Sequence, residues 1–327
     1  MTEILESKFN NFIKENISKP ESMLVALSGG IDSMALAIIA SNYCQKHNIN
    51  FYSLHIDHNL HSGSGKIAQD LALYAKKMKL NLTIKKRDQG KDINSNIEAK
   101  AREARYKLLT EFARENKIGL VLTAHNQDEQ VENFFIRLSR GSGIDGLAKM
   151  SEIQKIEDEI ILARPFINVA KSQLEEFLKQ NNYQFFEDPT NQDQKFLRNK
   201  IRKLLTEIED KELIEQRIMR SMDSFSRAKD FLNNHCQQLF DKLVIINNEN
   251  GQLKIKFLEF KNLDQEMALR ILIKILNFHH LEKLKPRFNK LFDLYQKIIN
   301  QEIKKKINFK HNFISIKDDY LVFVREA

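Results

Sequence analysis

A chain of 327 residues with 42% hydrophobic residues is long enough for two domains and can bury a sizeable core. It has no apolar run of membrane-spanning length and no signal-peptide core in residues 1–22, which argues against a membrane protein and favours the cytoplasm. It also has no Cys-x-x-Cys pair, which argues against a disulfide framework and against a zinc or iron-sulfur site. Most of the net charge of +8 lies beyond residue 210, where there are 22 basic and 15 acidic residues. This excess favours a polyanionic binding partner such as RNA; the alternative is that it only reflects a biased genome composition.

The first strongly patterned segment, residues 24–36, predicts a strand, a turn and a helix. Two consecutive glycines let the backbone approach a ligand closely, and the N–H groups that open the helix favour phosphate. Two serine hydroxyls can add hydrogen bonds to phosphate, whereas Asp32 suits a neighbouring Mg²⁺. The alternative is a tight turn in which Asp32 or Ser33 only caps the helix. The predicted nucleotide-binding residues are Ser28, Gly29, Gly30, Ile31, Asp32 and Ser33.

A second apolar segment, residues 50–58, predicts a parallel strand that ends beside this turn. It would bring His55, Asp57 and His58 to the same edge of the sheet. The two histidines can shape a nucleotide pocket, or they are ordinary strand-end residues. The next predicted elements are a helix over residues 65–79 and a strand over residues 80–86.

A clear amphipathic helix is predicted from residue 96 onward. Arg102 and Arg105 lie one turn apart beside its apolar stripe. Two guanidinium groups on one face can grip phosphates, and exposed ion pairs with Glu98 and Glu103 are the alternative.

The strand predicted over residues 119–125 leads into a helix that carries Asp128 and Glu132 one turn apart. Acidic side chains in a first turn often only complement the helix dipole. Here they lie near the predicted phosphate loop, where a carboxylate needs a cation beside it. The sequence therefore predicts Asp32 and Asp128 as Mg²⁺ ligands.

Residues 137–203 are predicted to contain a loop, a strand, a helix and a cationic segment. Residues 137–146 form a basic, glycine-rich loop that we expect to be mobile, and a strand over 160–166 followed by a helix completes five βα units. Five cationic residues between 195 and 203 predict a hinge with an RNA-facing strip, or alternatively a solvated helix.

These elements predict an α/β fold with a doubly wound, mostly parallel sheet and a smaller carboxyl-terminal domain that is α+β or mostly helical. Strands are expected over residues 252–260 and 307–324, and a buried helix over residues 267–278. The expected boundaries are a first domain over 1–210 that carries the phosphate loop, a linker helix over 211–240 and a basic domain over 241–327.

Taken together, the motifs resemble the PP-loop N-type ATP pyrophosphatases and, among them, the tRNA(Ile)-lysidine synthetase family. The resemblance covers roughly residues 23–203 and implies an adenine nucleotide alpha hydrolase-like domain. It makes residues 1–210 the PP-loop ATP pyrophosphatase catalytic domain and residues 241–327 a basic tRNA-binding domain. Glu129 departs from the family, which usually has a second Asp there. The matching motifs are Ser28 to Ser33, His55-Ile56-Asp57-His58, Asn96-x-Glu98-x-x-Ala101-Arg102-x-x-Arg105-Tyr106, Thr123-Ala124-His125, Arg140-Gly141-Ser142-Gly143, Arg164-Pro165, Glu187-Asp188 and Arg198-Asn199-x-x-Arg202.

The resemblance implies a ligase that uses ATP and Mg²⁺ to join free L-lysine to the wobble cytidine of a CAU-anticodon tRNA(Ile). It implies no membrane and allows a homodimer. Chemistry and resemblance together make Asp32, His125, Asp128 and Glu132 catalytic candidates, and Asp128, Glu132 or Glu187 could bind the lysine ammonium or accept a proton. Further expected substrate or RNA contacts are Arg102, Arg105, Arg140, Arg164, Glu187, Arg198 and Arg202.

Two other functional classes are compatible with a PP-loop. One is another adenylating enzyme, such as a tRNA thiolase or an amidotransferase-type synthetase; the absence of Cys pairs and of an amino-terminal Cys argues against both. The other is a nucleotide-binding or RNA-binding module without catalytic activity. The Walker A pattern of γ-phosphate chemistry is absent.

Overall fold

A computed structural model describes residues 1–57, 64–87, 97–157, 159–186, 197–247, 251–278, 286–303 and 305–325, without the side chains of residues 64 and 97–100. The chain divides into two compact units, Met1–Asp223 and Ser224–Ala327. The helix predicted over 211–240 spans Lys211–Leu243, and the division falls inside it. The assignment of three functional domains stays a prediction.

The first unit is built on a six-stranded sheet, sheet A, with the order β3-β2-β1-β4-β6-β5. All neighbouring strands are parallel except β5 and β6. The strands are β1 (Ser22–Ala26), β2 (Asn50–Asp57), β3 (Leu82–Lys86), β4 (Leu120–Leu122), β5 (Ile153–Glu157) and β6 (Ile160–Ala163). The doubly wound α/β prediction is confirmed, whereas β5 was missed because an edge strand carries polar residues without a buried face.

Helices cover both faces of sheet A. In β1, Met23 and Val25 pack into a core with α1, α2 and α7, whereas Leu24 packs with α4 on the other face. This alternation follows from the two-residue period of a strand. The helices are α1 (Thr2–Asn16), α2 (Ile31–His47), α3 (Ser64–Lys77), α4 (Ile97–Glu115), α5 (Gln127–Leu138), α6 (Ile144–Leu147), α7 (Lys171–Gln180), α8 (Leu197–Thr206) and α9 (Lys211–Leu243).

The strand order explains where a ligand can bind. From β1 the chain continues to β2 and β3 on one side, and β4 then pairs with the other side of β1. The loops that leave β1 and β4 therefore separate at this switch point and leave a crevice at the carboxyl edge, which is where open α/β sheets bind ligands.

The second unit has an antiparallel five-stranded sheet, sheet B, with the order β7-β8-β11-β10-β9. The prediction of an α+β region is confirmed. Its core is formed by the apolar residues of α11 together with inward-facing residues of sheet B. The elements are β7 (Ile245–Asn247), β8 (Gln252–Lys256), α10 (Phe257–Lys261), α11 (Gln265–Asn277), α12 (Phe288–Ile299), β9 (Ile307–Phe309), β10 (Asn312–Lys317) and β11 (Tyr320–Arg325).

Several predicted element boundaries are wrong. The strand expected over 252–260 ends at Lys256, where α10 begins, and the strand expected over 307–324 is three strands. Two turns with positive φ, at Lys310-His311 and Asp318-Asp319, separate them. The third strand of sheet A starts at Leu82 rather than at residue 80, and part of the loop expected over 137–146 is α6.

Among the helices that the structure describes, none combines the length and the apolar character needed to cross a bilayer.

Candidate active site

The predicted nucleotide-binding turn connects β1 to α2 at the carboxyl edge of sheet A. Gly29 has a φ of +95°, in the region that favours glycine, and Gly30 is the N-cap of α2. The first N–H groups of any α-helix have no acceptor within the helix, and the positive end of the helix dipole lies behind them. The start of α2 can therefore bind an anion.

Ser33 holds the turn together from within α2. Its Oγ accepts hydrogen bonds from the backbone N–H groups of Ser28 (3.2 Å) and Gly29 (3.1 Å) and donates one to Gly30 O (3.0 Å). Those two N–H groups are satisfied inside the loop, so the first turn of α2 supplies the N–H groups for a phosphate. The exposed Ser28 hydroxyl, 3.0 Å from Ser33 Oγ, lies at the rim.

Buried His55 supports the strand end that precedes the turn. Its Nδ1 lies 2.9 Å from Leu27 O, and because a carbonyl only accepts, Nδ1 carries the hydrogen. The N–H of Leu27 in turn donates to Leu54 O. His55 is thus a satisfied strand-end residue that also fixes the residue before Ser28. His58 lies outside the described residues.

Asp32 lies in the first turn of α2. Its Oδ1 is buried and has no hydrogen-bond partner among the described residues. Burial raises the pKa of this carboxyl; the Asn126 amide and Lys171 oppose the rise, and the charge of Asp128 adds to it. A buried carboxylate oxygen without a donor is a group that a cation would satisfy.

Asn126 connects β4 to α5 and is only 1% exposed. Its Oδ1 accepts a hydrogen bond of 2.8 Å from the Glu129 N–H and so caps α5. Its Nδ2 has no hydrogen-bond partner within normal geometry among the described residues. The amide nevertheless lowers the pKa of Asp32, which places the two side chains side by side.

Asp128 is held at both carboxylate oxygens. Its Oδ2 accepts a hydrogen bond of 2.8 Å from the Lys171 N–H, and its Oδ1 lies 3.8 Å from Lys211 Nζ. Lys211 also approaches Glu215, with 3.5 Å between Nζ and Oε1. Glu129, one residue further on, has a pKa raised to about 7, first by burial and then by the charge of Asp32.

Glu132 is buried and faces two arginines of α8. Its Oε1 lies 2.6 Å from Arg202 Nε, and its Oε2 lies 3.7 Å from Arg198 Nε. Arg198 also donates a hydrogen bond of 2.9 Å to Asn133 Oδ1. The described part of the predicted cationic strip, residues 197–203, is therefore helical within α8, and its two arginines point to α5.

His125 ends the segment after β4 amid several arginines. Thr123 Oγ1 lies 3.0 Å from its Nδ1. The pKa of His125 is lowered to about 3, first by burial and then by the positive charges of Arg164 and Arg102. The imidazole is therefore neutral at physiological pH and can only exchange hydrogen bonds there.

The other predicted RNA contacts differ in accessibility. Arg105 and Arg140 are exposed, and Arg102 lies over the Tyr106 ring, with its Nη2 3.2 Å from the Tyr106 hydroxyl. Arg164 is 2% exposed and donates to Ser151 O at 2.7 Å and Gln154 Oε1 at 3.1 Å. Glu187 lies outside the described residues.

Comparison with known proteins places this arrangement in a family. The PP-loop domain family matches residues 1–209. A tRNA(Ile)-lysidine synthase of Wolbachia pipientis wMel is 31% identical over 299 residues, which cover 91% of this chain and 69% of the relative. The chain belongs to the tRNA(Ile)-lysidine synthase family. A tRNA(Ile)-lysidine synthase of Orientia tsutsugamushi (strain Boryong) is 36% identical over 65% of this chain and 49% of its own length.

A solved structure has the same fold as part of this lysidine synthase family member. The U34-tRNA thiolase NcsA from Methanococcus maripaludis aligns with a TM-score of 0.60 at 13% sequence identity, over 69% of this chain and 78% of the thiolase. At this identity the likeness concerns the fold alone.

Asn126 and Lys171 also lie at this candidate site, and neither was among the residues predicted from the sequence. Asn126 could have been found, because Asn followed three residues later by Glu before an apolar helix face is an N-cap pattern. Lys171 contacts Asp128 through its backbone N–H. Because any residue except proline has a backbone N–H, the identity of residue 171 gives no indication of this contact with a residue 43 positions earlier.

Proposed function

We propose that this chain attaches lysine to carbon 2 of the wobble cytidine of CAU-anticodon tRNA(Ile), using ATP, and so changes its codon reading from AUG to AUA. The observation that carries the proposal is the PP-loop at the switch point of sheet A in a chain of the lysidine synthase family. The reaction would take place in the cytoplasm, where ATP and tRNA are available.

The first step activates the cytosine. Its carbon 2 oxygen attacks the α-phosphorus of ATP, the bond to the bridging oxygen breaks, and pyrophosphate leaves. The first-turn N–H groups of α2 and the Ser28 hydroxyl would hold the departing pyrophosphate. The lysine ε-amine then adds to carbon 2, AMP leaves and the amine loses a proton, so the chain supplies positioning rather than a nucleophile.

The described residues include carboxylates that could bind a Mg²⁺ ion. When bound, the ion would supply positive charge beside the phosphates. Asp32 and Asp128 would hold it, and Asp32 is the better suited of the two, because its Oδ1 is buried without a partner among the described residues. No group of three or more His, Cys, Asp or Glu side chains suited to a metal occurs in the described ranges, so oxygens of the substrate would complete the coordination.

Of the two candidate carboxylates that the structure describes, Asp128 is the one that a free lysine can reach more easily, because its side chain is 24% exposed and that of Glu132 only 7%. Glu132 is already neutralised by Arg202 and Arg198. Near Asp128 Oδ1, in contrast, the structure already accommodates an ammonium group, that of Lys211 at 3.8 Å. A free lysine could place its own ammonium beside the same oxygen.

The arginines are proposed to act in two ways. Arg105 and Arg140 are exposed and Arg102 lies one turn before Arg105 on α4, so these three are proposed as RNA contacts. Arg164, Arg198 and Arg202 have partners within the protein, and we propose that they position the site. Glu187 and His125 stay candidates for contact with the substrate.

Incorporation of labelled lysine into tRNA tests the proposal. AMP and pyrophosphate are expected only when ATP, free lysine and the CAU tRNA are all present. A non-catalytic nucleotide-binding module would bind ATP without releasing pyrophosphate, and a different PP-loop activator would release it with another co-substrate. Absence of lysine incorporation by the intact chain would overturn the proposal.

A further inference from the structure

Helix α9 has an exposed face of unusual composition within the second unit. Its members recur at the spacing of a single helical face, and all of them are exposed. We call this face the α9 stripe. It consists of Ser224, Arg227, Phe231, His235, Gln238 and Lys242.

The α9 stripe carries cations and no carboxylate. The acidic residues of this part of the helix, Asp230 and Asp241, lie roughly 80–100° around the axis from Phe231, at about 100° per residue. Asp241 accepts a hydrogen bond of 2.7 Å from Gln237 Nε2. The core side of the helix, with Cys236 and Phe240, lies further around. Within the stripe itself the sequence carries no negative charge, so Arg227 and Lys242 make this line along the helix positive.

The centre of the stripe is a pair of parallel rings. Phe231 is 68% exposed, and its ring lies 6.2 Å from that of His235 with an interplanar angle of 5°. A phenylalanine this exposed contributes little to the core, so its ring is available to a partner. A flat ring pair flanked by cations is a platform on which a nucleobase can stack.

We propose that the α9 stripe binds unpaired nucleotides of the tRNA, with a base stacked on Phe231 and His235 and phosphates on Arg227 and Lys242. The two cations are 15 positions apart, about 22 Å along the axis. This inference rests on the proposed function for the identity of the RNA. Charge complementarity and an exposed stacking surface favour RNA over a protein partner, which would be expected to bury apolar side chains around the ring.

The experiment measures the Kd of the full chain for CAU tRNA(Ile) at several salt concentrations. We expect Phe231→Leu to raise the Kd by about 5- to 100-fold, and Phe231→Trp to keep it near the original value, because only the ring can stack. We expect Arg227→Gln with Lys242→Gln to lower the slope of log K against log salt by about 1.4. At saturating tRNA, kcat for lysidine formation should be unchanged while KM rises.

Matched controls lie elsewhere in the second unit. Phe288 is 63% exposed and stacks on Phe292 with centroids 5.7 Å apart, so Phe288→Leu removes an equivalent ring. Lys261→Gln removes an exposed cation. Neither should change the tRNA Kd more than twofold, and an equal loss in Phe288→Leu would overturn the assignment to the stripe.

The outcomes separate this inference from the proposed function. If the unmodified chain makes lysidine but the stripe variants keep its Kd and salt slope, only the stripe is overturned. If the chain makes no lysidine, the proposed function fails, and the ratio of Kd values still decides whether the stripe binds RNA. If the variants convert a dimer to a monomer in sedimentation while the tRNA Kd stays constant, the stripe is a surface between copies and the inference is wrong.

Discussion

Glu132 Oε1 lies 2.6 Å from Arg202 Nε, and this contact links α5 to α8. Glu132 is buried while Arg202 is partly exposed. A residue that the sequence places among the catalytic carboxylates therefore already has a charged partner. Its contribution to the stability of the folded protein can therefore be measured separately from catalysis.

Replacing Glu132 by Gln should destabilise the protein, because two arginine side chains lose their anion. We expect a loss of about 1–3 kcal/mol in the free energy of unfolding, less than for a fully buried pair since Arg202 can turn toward water. Urea unfolding measures it. The matched control is Glu175→Gln, which removes an exposed pair with Lys179 and should cost less than about 0.5 kcal/mol. Equal losses in the two variants would contradict a special role for Glu132.

Asn126 should contribute separately to stability and to activity. Asn126→Ala removes the cap of α5 and should cost about 0.5–2 kcal/mol. Asn126→Asp keeps the acceptor oxygen of the cap, but it buries a second carboxylate beside Asp32, so we expect this variant to be no more stable than Asn126→Ala. Because it adds a negative charge beside Asp32, it should also lower kcat/KM. A fully active Asn126→Asp variant would show that the amide next to Asp32 is dispensable.

Asp32→Asn should produce a more stable but inactive protein. Burial and the charge of Asp128 both disfavour the ionised Asp32 carboxylate, so a neutral amide of similar shape removes that cost. We expect an increase in the thermal midpoint together with a loss of lysine incorporation of at least about a hundredfold. Asp70→Asn, at an exposed site on α3, should change neither. A less stable Asp32→Asn variant would contradict the reasoning.

His125 should make stability depend on pH. Its pKa is lowered from 6.5 to about 3 in the folded protein, so below pH 6.5 the unfolded chain binds a proton that the folded chain does not. Stability is therefore present above pH 6.5 and is lost as pH falls toward 3, by at most about 1.4 kcal/mol per pH unit. His125→Gln should show a flatter decline in urea midpoint between pH 7 and 5. Parallel declines would show that His125 is not buried in its neutral form.

The fold could be predicted largely because its signals are local. Residues 24–36 carry an apolar strand, two glycines and an apolar helix face in immediate succession, and each has a direct physical meaning. Strand β5 lacked such a signal, since its sequence Ile153–Glu157 is mostly polar and it pairs only at the sheet edge. The helix at Phe257–Lys261 was not predicted either, because a short apolar segment is compatible with both the two-residue period of a strand and the 3.6-residue period of a helix.

The sequence by itself determined the PP-loop, its position before a helix and the set of charged residues available near it. Only the tertiary structure decided which of those charges face one another: Glu132 faces Arg202, Asp128 faces Lys211, and buried Asp32 Oδ1 lies near the Asn126 amide without a hydrogen bond of normal geometry among the described residues. The physical reason is that loop and helix geometry depend on neighbouring residues, whereas ion pairs depend on distances between segments that are tens of residues apart.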